Sequence, residues 1–254
     1  MKVMFTDSHC HLDQLQAPGD ALRRAREAGV HRVVAVAEDE KSVDIIFQLK
    51  ARYPEQVLVG VGLHPMHVPE RSRDSVYQAL EKIEIVARRA DVVGEIGLDY
   101  KYASTGDQQK FQRLVLDRHM TIAAINKKPI NLHSRWALRE TMNAAIEYTR
   151  DTGLGAQLHW FTQSKKLTRL TNRVGVYVSV GPSIIHSKEA RSVAASIDRS
   201  LLLLETDSPV AFEGEASEPS WTAKVAAVVA ELWQCDLTEV SRQTEENFER
   251  YLGG

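Results

Sequence analysis

Cysteine is scarce in this chain of 254 residues, and low-complexity sequence and long apolar runs are missing. The two cysteines, Cys10 and Cys235, lie far apart, so the sequence predicts no disulfide framework and fits a reducing compartment. A run of about 18 apolar residues, as a membrane span requires, does not occur. The first residues form a strand-like segment with an acid at Asp7, not a signal peptide, and we therefore expect a cytoplasmic protein.

An excess of charge of one sign is also missing. Lys and Arg number 32 and Asp and Glu number 34, which gives a formal net charge of −2. A protein that coats duplex DNA by charge is usually more basic. If a nucleic acid is the partner, it must therefore be bound locally, at a small site.

Short apolar runs alternate with longer amphipathic stretches along the whole chain. The predicted strands are Val3–Ser8, Arg32–Ala37, Val57–Leu63, Val92–Leu98, Pro129–His133, Ala156–His159, Val174–Val180 and Leu201–Thr206. Most of these runs are apolar at successive positions, which is typical of strands buried on both faces of a parallel sheet. The predicted helices are Asp20–Ala28, Val43–Arg52, Asp74–Arg89, Gln108–Lys127, Ala137–Arg150, Lys165–Asn172, Lys188–Ser196, Thr222–Gln234 and Leu237–Leu252.

Eight strands that alternate with helices over about 250 residues predict an α/β fold, a (β/α)8 TIM-like barrel. We expect it to form a single domain over residues 1–254, because no linker rich in Pro, Gly or Ser interrupts the pattern. A doubly wound open sheet is the alternative architecture. It normally carries a glycine-rich loop after its first strand, and histidines follow that strand here instead.

Two histidines separated by one residue follow the first apolar run. Side chains alternate between the two faces of an extended strand, so His9 and His11 point one way and Cys10 the other. Two nitrogen donors on one face make half of a metal site, and Cys10 is expected to pack. An isolated pair of this kind is more often solvent-exposed or hydrogen-bonded, so its significance depends on the rest of the chain.

Six of the eight predicted strands end in His, Asp or Glu. Besides the first pair, these residues are His64, Glu95, Asp99, His133, His159 and Asp207. In a barrel, the carboxyl ends of all strands meet at one rim, which is the catalytic face. Buried titratable groups are costly unless they are paired or bound to a metal, so the shared position predicts a metal centre.

The candidate ligands are four imidazoles and two carboxylates, namely His9, His11, His133, His159, Glu95 and Asp207. A catalytic site for one metal uses about three protein ligands, so this set predicts two divalent ions about 3.5–4 Å apart with a bridging carboxylate. Mixed nitrogen and oxygen donors fit Zn²⁺ or Mn²⁺ better than an all-oxygen Mg²⁺ site, and the sequence leaves the choice among Zn, Mn and Mg open.

The motifs around these residues resemble those of a known family. They are Ser8-His9-Cys10-His11-Leu12-Asp13, Gly62-Leu63-His64-Pro65, Gly94-Glu95-Ile96-Gly97-Leu98-Asp99, Leu132-His133-Ser134-Arg135, His159 and Glu205-Thr206-Asp207-Ser208-Pro209. Together they resemble the TatD family of metal-dependent deoxyribonucleases, in order, from residue 6 to about residue 209.

The resemblance implies a TIM barrel of the metallo-dependent hydrolase superfamily with a shared ligand. One metal would be held by His9, His11, Glu95 and Asp207, and the second by Glu95, His133 and His159. His64 would lie on the substrate side, outside the metal ligands. The implied activity is metal-dependent cleavage of phosphodiester bonds in DNA, often from the 3′ end of single strands.

Two departures from the family pattern concern the substrate pocket. Gln163 stands where the family usually has glycine, in the loop after the sixth strand. After the eighth strand many members carry Arg-Asn-Glu-Pro, and this chain has Ala216-Ser217-Glu218-Pro219. The lost arginine and asparagine would help to bind an anion, so we expect intact metal ligands and an altered substrate pocket.

The expected mechanism is attack on the phosphodiester by a hydroxide that two metals generate near neutral pH. Asp207, Glu95 and His64 form the predicted catalytic group: Asp207 orients the nucleophile and takes its proton, Glu95 bridges the metals, and His64 binds the scissile phosphate or aids the leaving group. Arg135 and Lys101 are predicted to contact substrate phosphates together with His64. Lys165 and Lys166 could also contact flanking phosphates, but a solvated helix start is the favoured explanation for them.

The predicted partner is DNA, as single strands or 3′ ends, and other proteins would join only if the enzyme serves a specialised system. Asp99 is expected either to hydrogen-bond a histidine ligand or to cap the following loop. The alternative function is hydrolysis of an ester, lactone or amide on the same metals, since a barrel does not determine its substrate. The remaining hypothesis is that the protein is a non-enzymatic subunit that has kept the barrel.

Overall fold

Eight parallel strands form the centre of the protein in this computed structural model, which describes residues 3–161 and 165–253. They are β1 (Phe5–Cys10), β2 (Val30–Val36), β3 (Val57–Val61), β4 (Val92–Asp99), β5 (Ile130–Arg135), β6 (Ala156–Leu158), β7 (Tyr177–Val180) and β8 (Leu202–Leu204). Each strand pairs with the next one along the chain. The backbone N–H of Asp207 donates to the carbonyl of His9 at 2.9 Å, which brings the end of the sheet back to its start. The predicted TIM-like barrel is therefore confirmed.

Helices follow the strands around the outside of the barrel. They are α1 (Pro18–Glu27), α2 (Glu40–Arg52), α3 (Arg73–Ala87), α4 (Gly106–Ile125), α5 (Leu138–Thr152), α6 (Lys165–Val174), α7 (Ser183–His186), α8 (Lys188–Ala194), α9 (Thr222–Trp233) and α10 (Leu237–Leu252). Their starts have local causes: Asp39 and Thr105 form capping boxes with Ser42 and Gln108. Among the described residues, no helix combines the length and the apolar character that crossing a bilayer requires.

All nine predicted helices are present. The structure differs from the prediction mainly in short elements that the sequence did not reveal. Helix α7 has four residues, too few for a helical period to be visible in the sequence. A hairpin of β9 (Ala211–Phe212) and β10 (Glu215–Ala216) follows the eighth strand and was also not predicted. The first strand ends at Cys10 and not at Ser8, so His9 lies within the strand.

The core has two parts because the barrel strands are buried on both faces. Alternate residues such as Val33 and Ala35 belong to the large cluster packed under the helices, which also holds Cys10. Val34 and Val36 point the other way and pack with Phe248 and Tyr251 of α10. The Tyr251 hydroxyl donates to the carbonyl of Ile130, where β5 begins, so α10 covers the amino-terminal end of the barrel. The carboxyl-terminal end is left for the polar residues.

Candidate metal centre

A cavity of about 480 Å³ opens at the carboxyl ends of the strands. Its lining includes His11, His64, Glu95, His133, His159 and Asp207. His9 is fully buried behind them and reaches the same cluster through its ring. The barrel thus brings together all six of the predicted ligands and His64, which are separated by up to about 200 positions in the sequence.

Glu95 lies at the middle of this cluster and faces a different set of imidazoles with each oxygen. Its Oε2 is 3.4 Å from Nε2 of His9 and 3.4 Å from Nε2 of His11. Its Oε1 is 2.9 Å from Nδ1 of His133 and 3.0 Å from Nε2 of His159. One carboxylate therefore joins two groups of nitrogen donors, as a bridging ligand would.

Asp207 completes the first of these groups. Its Oδ1 lies 3.5 Å from Nε2 of His9 and 3.3 Å from Nε2 of His11. Asp207 adopts a left-handed backbone conformation, with φ of 51°, just after β8. Such a conformation is uncommon for residues other than glycine and is concentrated at functional sites, where the surrounding structure holds it in place.

Hydrogen bonds from neighbouring residues determine which ring nitrogen of His9 and His133 faces the cluster. Nδ1 of His9 lies 3.0 Å from Oδ1 of Asn131, whose amide nitrogen in turn donates to the Ser8 carbonyl. Nε2 of His133 lies 3.1 Å from Oδ2 of Asp99. Because the outer nitrogen donates its proton in each case, the inner nitrogen presents a lone pair, as a metal ligand must.

Asp99 serves both of the roles that the sequence left open. Its Oδ2 contacts His133, while its Oδ1 accepts hydrogen bonds from the backbone N–H groups of Lys101 at 3.0 Å and Tyr102 at 3.4 Å. One carboxylate thus orients a histidine and caps the loop after β4. Gly97, two residues earlier, has φ of 148°, and a Cβ there would collide with the His133 carbonyl. Glycine at this position allows β4 and β5 to lie close together.

His64 differs from the other histidines in the role of its nitrogens. Its Nδ1 accepts a hydrogen bond from the backbone N–H of Met66 at 3.0 Å. In the neutral ring the proton is therefore on Nε2, which lies 3.3 Å from Oε1 of Glu95. Burial lowers the pKa of His64, which favours this neutral form. His64 is consequently oriented as a hydrogen-bond donor to the cavity.

The charges of the cluster favour a bound cation. Burial alone would raise the pKa of Glu95, but the imidazoles of His64, His9 and His159 hold it well below its usual range. Burial alone would lower the pKa of His9, but Glu95 and Asp207 raise it to about 10. The buried carboxylates thus stabilise positive charge among the imidazoles, which is the charge that a metal ion supplies.

The residues of the cavity fit divalent metal ions. Among the described residues, Nε2 of His9 and Oε2 of Glu95 are buried and have no hydrogen-bond partner, although buried polar atoms are normally paired. Three overlapping groups of ligand atoms lie close enough to hold an ion: His9, His11 and Glu95; His9, His159 and Asp207; and His64, Glu95 and His133. Imidazole and carboxylate donors suit first-row divalent ions.

Comparison with known proteins agrees with this geometry. The family model for TatD related DNase matches residues 6–253. The chain belongs to the TatD family. It is 33% identical to human deoxyribonuclease TATDN3, over 96% of this chain and 93% of that protein. It is 30% identical to the Escherichia coli metal-dependent hydrolase YjjV, over 97% of each chain.

Solved structures give the same result for the TatD fold. The crystal structure of YjjV superposes with a TM-score of 0.84 at 28% identity, and covers 99% of this chain and 98% of that one. A TatD family hydrolase from Entamoeba histolytica shares the fold, with a TM-score of 0.84 at 17% identity and coverage of 99% and 98%. The protein is a metal-dependent hydrolase of the TatD family.

Of the residues predicted to contact substrate, some line the cavity of the metal centre and others lie farther out. Arg135 lines the cavity. Lys101 is exposed, and its Nζ lies 5.6 Å from the ring centroid of Tyr102, which does line the cavity. Ser217 is buried, and the Glu218 carboxylate forms an ion pair with Arg24 of α1. Gln163, the other departure from the TatD pattern, lies outside the described residues.

Two residues beside the histidines of the metal centre were not predicted from the sequence. Asn131 orients His9 through a hydrogen bond. Glu205 lies beside His159, with its Oε2 3.9 Å from Nδ1, and accepts hydrogen bonds from the Trp160 N–H and the Ser179 hydroxyl. The signal for Asn131 was present, because it precedes His133 by two positions on β5 and so shares its face. Asp7, which the sequence marks only as an acid, accepts hydrogen bonds from Thr206 across the seam between β1 and the chain after β8. It also accepts one from the backbone N–H of His9 on its own strand.

We expect the Asn131→Leu variant to bind metal 10- to 100-fold more weakly, on the order of other lost contacts to metal-binding histidines. Leucine has a similar size but cannot accept the proton of His9 Nδ1, so the ring is free to present its protonated nitrogen to the cluster. Metal affinity would be measured by competition with a chromogenic chelator. Asn143→Leu, on the surface of α5, is the control, and unchanged metal affinity in Asn131→Leu would contradict the role of this contact.

His119 supports the backbone next to His64 and makes stability depend on pH. Its Nε2 accepts from the Leu63 N–H at 3.2 Å, and its Nδ1 donates to the Val115 carbonyl at 2.9 Å. Burial lowers the pKa of His119 to about 4, below its ordinary value of 6.5.

Below about pH 6.5 the unfolded chain therefore binds a proton at His119 that the folded protein does not, and the free energy of unfolding decreases as pH falls. This histidine alone should account for a loss of about 2 kcal/mol between about pH 7 and about pH 5. In urea unfolding experiments, we therefore expect the free energy of unfolding of His119→Gln to fall by about 2 kcal/mol less than that of the wild type over this pH interval. An unchanged pH slope in this variant would show that His119 does not titrate as the geometry indicates.

Proposed function

We propose that this protein is a nuclease that cleaves phosphodiester bonds in DNA, as a 3′–5′ exonuclease on single strands. The observation that carries the proposal is the position of Glu95 between two sets of imidazoles at the mouth of the barrel. Membership of the TatD family and the similarity to a protein named as a deoxyribonuclease support the choice of substrate. The cavity of about 480 Å³ is of a size for one or two nucleotides and is lined mainly by polar groups.

The proposed ligands divide into two sets that share Glu95. They are His9, His11, Glu95 and Asp207 for one ion, and Glu95, His133 and His159 for the other. When bound, two divalent ions would lower the pKa of a water between them towards neutrality and offset charge on the phosphate. Zn²⁺, Mn²⁺ and Mg²⁺ are the candidates.

Asp207 and His64 have the geometry to assist hydrolysis, Asp207 as a proton acceptor and His64 as a hydrogen-bond donor. The Asp207 side chain is 10% exposed at the cavity, and the imidazoles of His11 and His9 hold its pKa below the usual value against the effect of burial. It therefore stays ionised and can orient the attacking water and accept its proton. His64 presents Nε2–H to the cavity and can donate a hydrogen bond to the scissile phosphate or to the departing oxygen. Arg135, and Lys101 farther out, would contact flanking phosphates.

A second candidate is hydrolysis of an ester, lactone or amide by the same residues. It is favoured by the loop after β8, where Ala216 and Ser217 replace the arginine and asparagine of many members and offer no positive charge. Glu218 in the same loop is paired with Arg24 and not with the cavity.

The test is cleavage of end-labelled single-stranded and double-stranded DNA with Mg²⁺, Mn²⁺ and Zn²⁺ in parallel. We expect a ladder that shortens from the 3′ end of the single strand. RNA, a nucleotide phosphodiester, an ester and a lactone would be assayed beside it. Hydrolysis of the ester or lactone without any phosphodiester cleavage would establish the second candidate and refute the nuclease.

A further inference from the structure

A groove with four positive side chains lies between α5 and α6, outside the metal centre. It encloses about 280 Å³ and is lined by Arg139, Lys166, Leu167, Arg169, Leu170 and Arg173. Arg139 comes from α5 and the other residues come from α6. All four cations are exposed, so the groove is open to a large ligand.

Carboxylates of the described residues do not neutralise the positive charge of this groove. None of the four cations forms an ion pair with a carboxylate in the part of the chain that the structure describes. Elsewhere the surface cations are commonly paired, as Arg242 is with Glu239 and Glu246. The α6 sequence itself, KKLTRLTNRV, contains no acidic residue. The groove is therefore a local concentration of positive charge on a protein of net charge −2.

One of the four charges, that of Lys166, is placed unfavourably for the helix dipole, whereas Arg173 lies in the last turn, where a cation is favourable. Lys166 lies in the first turn of α6, where the helix dipole favours negative charge, and no acid accompanies it there. Cations at this end typically cost a few tenths of a kcal/mol to about 1 kcal/mol. A residue that departs from such a local preference, with no contact that compensates for it, is expected at a functional site. An anion at the groove would reverse the unfavourable interaction.

The groove begins four residues along the chain from the cavity of the metal centre. Arg135 lines that cavity at the end of β5, and Arg139 lines the groove from the start of α5. Four residues of chain span at most about 14 Å, so the two arginines bracket a distance of a few nucleotides along a single strand. The intervening Trp136 is 75% exposed and offers an aromatic ring beside the same path.

We propose that the groove between α5 and α6 binds backbone phosphates of a nucleic-acid single strand whose scissile phosphate lies at the metal centre. The inference rests on the proposed nuclease function and extends it to the length of strand that the enzyme holds. Leu170, which is half-buried, supplies apolar surface for a sugar between the phosphate contacts. A local cationic track of this kind explains how a chain with a small negative net charge can bind a polyanion.

The experiment compares the Arg169→Gln/Arg173→Gln double variant with the wild-type protein in equilibrium binding to fluorescent thymidine oligomers. Binding is measured in EDTA, so that hydrolysis does not interfere, with a dinucleotide and with an oligomer of about eight nucleotides. Each lost phosphate contact should weaken binding about fivefold at about 0.1 M salt. We therefore expect roughly 25-fold weaker binding of the long oligomer, and a salt slope lower by about 1.4.

Arg26→Gln/Arg88→Gln is the matched control, because it removes two exposed arginines from α1 and the end of α3. It should leave the long oligomer bound as in the wild type. Circular dichroism and melting temperature establish that both variants are folded.

Three outcomes would contradict the proposal that the groove binds phosphates. They are equal effects of the two double variants, an unchanged salt slope in Arg169→Gln/Arg173→Gln, and wild-type affinity that does not increase with strand length. The cleavage assay separates this result from the proposed function. If the wild type cleaves DNA while the groove variant binds normally, the groove proposal alone fails. If the wild type binds long strands through the groove but cleaves no nucleic acid, the nuclease proposal alone fails.

Discussion

Glu95→Gln should reduce kcat/KM for metal-dependent hydrolysis by roughly 10³-fold or more and should lower the metal content of the purified protein. The side chain keeps its size, but an amide offers one oxygen where the carboxylate offers two, and Glu95 faces imidazoles with both. Loss of several kcal/mol of stabilisation of charge in the transition state corresponds to this factor. Glu95→Ala and His133→Ala should be similarly inactive while remaining folded.

The measurement combines steady-state kinetics with metal analysis by mass spectrometry on the same preparation. Glu70→Gln, an exposed glutamate, serves as the control and should retain both activity and metal. The interpretation of Glu95 as the shared ligand is wrong if the Glu95→Gln protein keeps its full complement of metal and loses less than about tenfold in kcat/KM.

His64→Gln should lose activity by roughly 10²- to 10³-fold on DNA, within the range for loss of a hydrogen-bond donor to charge that develops in the transition state. Its metal content should not change, because Nδ1 of His64 is occupied by the Met66 N–H and Nε2 carries the proton in the neutral ring. This separates His64 from His133 and His159, although all three rings approach Oε1 of Glu95.

The choice of substrate distinguishes the two roles open to His64. A nitrophenyl phosphodiester has a leaving group that is stable as an anion, so His64→Gln should hydrolyse it nearly as well as the wild type if His64 stabilises the departing oxygen. If His64 only binds the phosphate, the variant should lose activity equally on both substrates. Loss of metal from His64→Gln would instead make this residue a ligand and refute its assignment to the substrate side.

The sequence predicted the barrel well because each strand and helix carries its own apolar pattern, and these patterns occur along the whole chain. Each apolar run and each amphipathic stretch reports burial of its own segment, so errors of two residues, as at β1, do not change the topology. Elements of a few residues, such as α7 and the β9–β10 hairpin, carry no such period and were missed. The family match over residues 6–253 agrees with the motifs that the sequence contained.

The grouping of His9, His11, Glu95, His133, His159 and Asp207 could be predicted because strand ends of a parallel barrel share a rim. Their ring orientations could not. Whether a histidine presents Nδ1 or Nε2 depends on the acceptor on its far side, and for His9 that acceptor is Asn131, 122 positions away in the sequence. The same holds for His64, whose role as a donor follows from the backbone N–H of Met66.

By itself the sequence determined the barrel, the inventory of candidate ligands and the separation of Cys10 from its neighbouring histidines, because these follow from periodicity and alternation along single segments. Only the tertiary structure decided that each oxygen of Glu95 faces its own set of imidazoles, that Asp99 serves two purposes and that the cations of α5 and α6 form one groove. These are relations between side chains on different strands and helices, and they depend on strand register and helix packing, which a one-dimensional pattern does not contain.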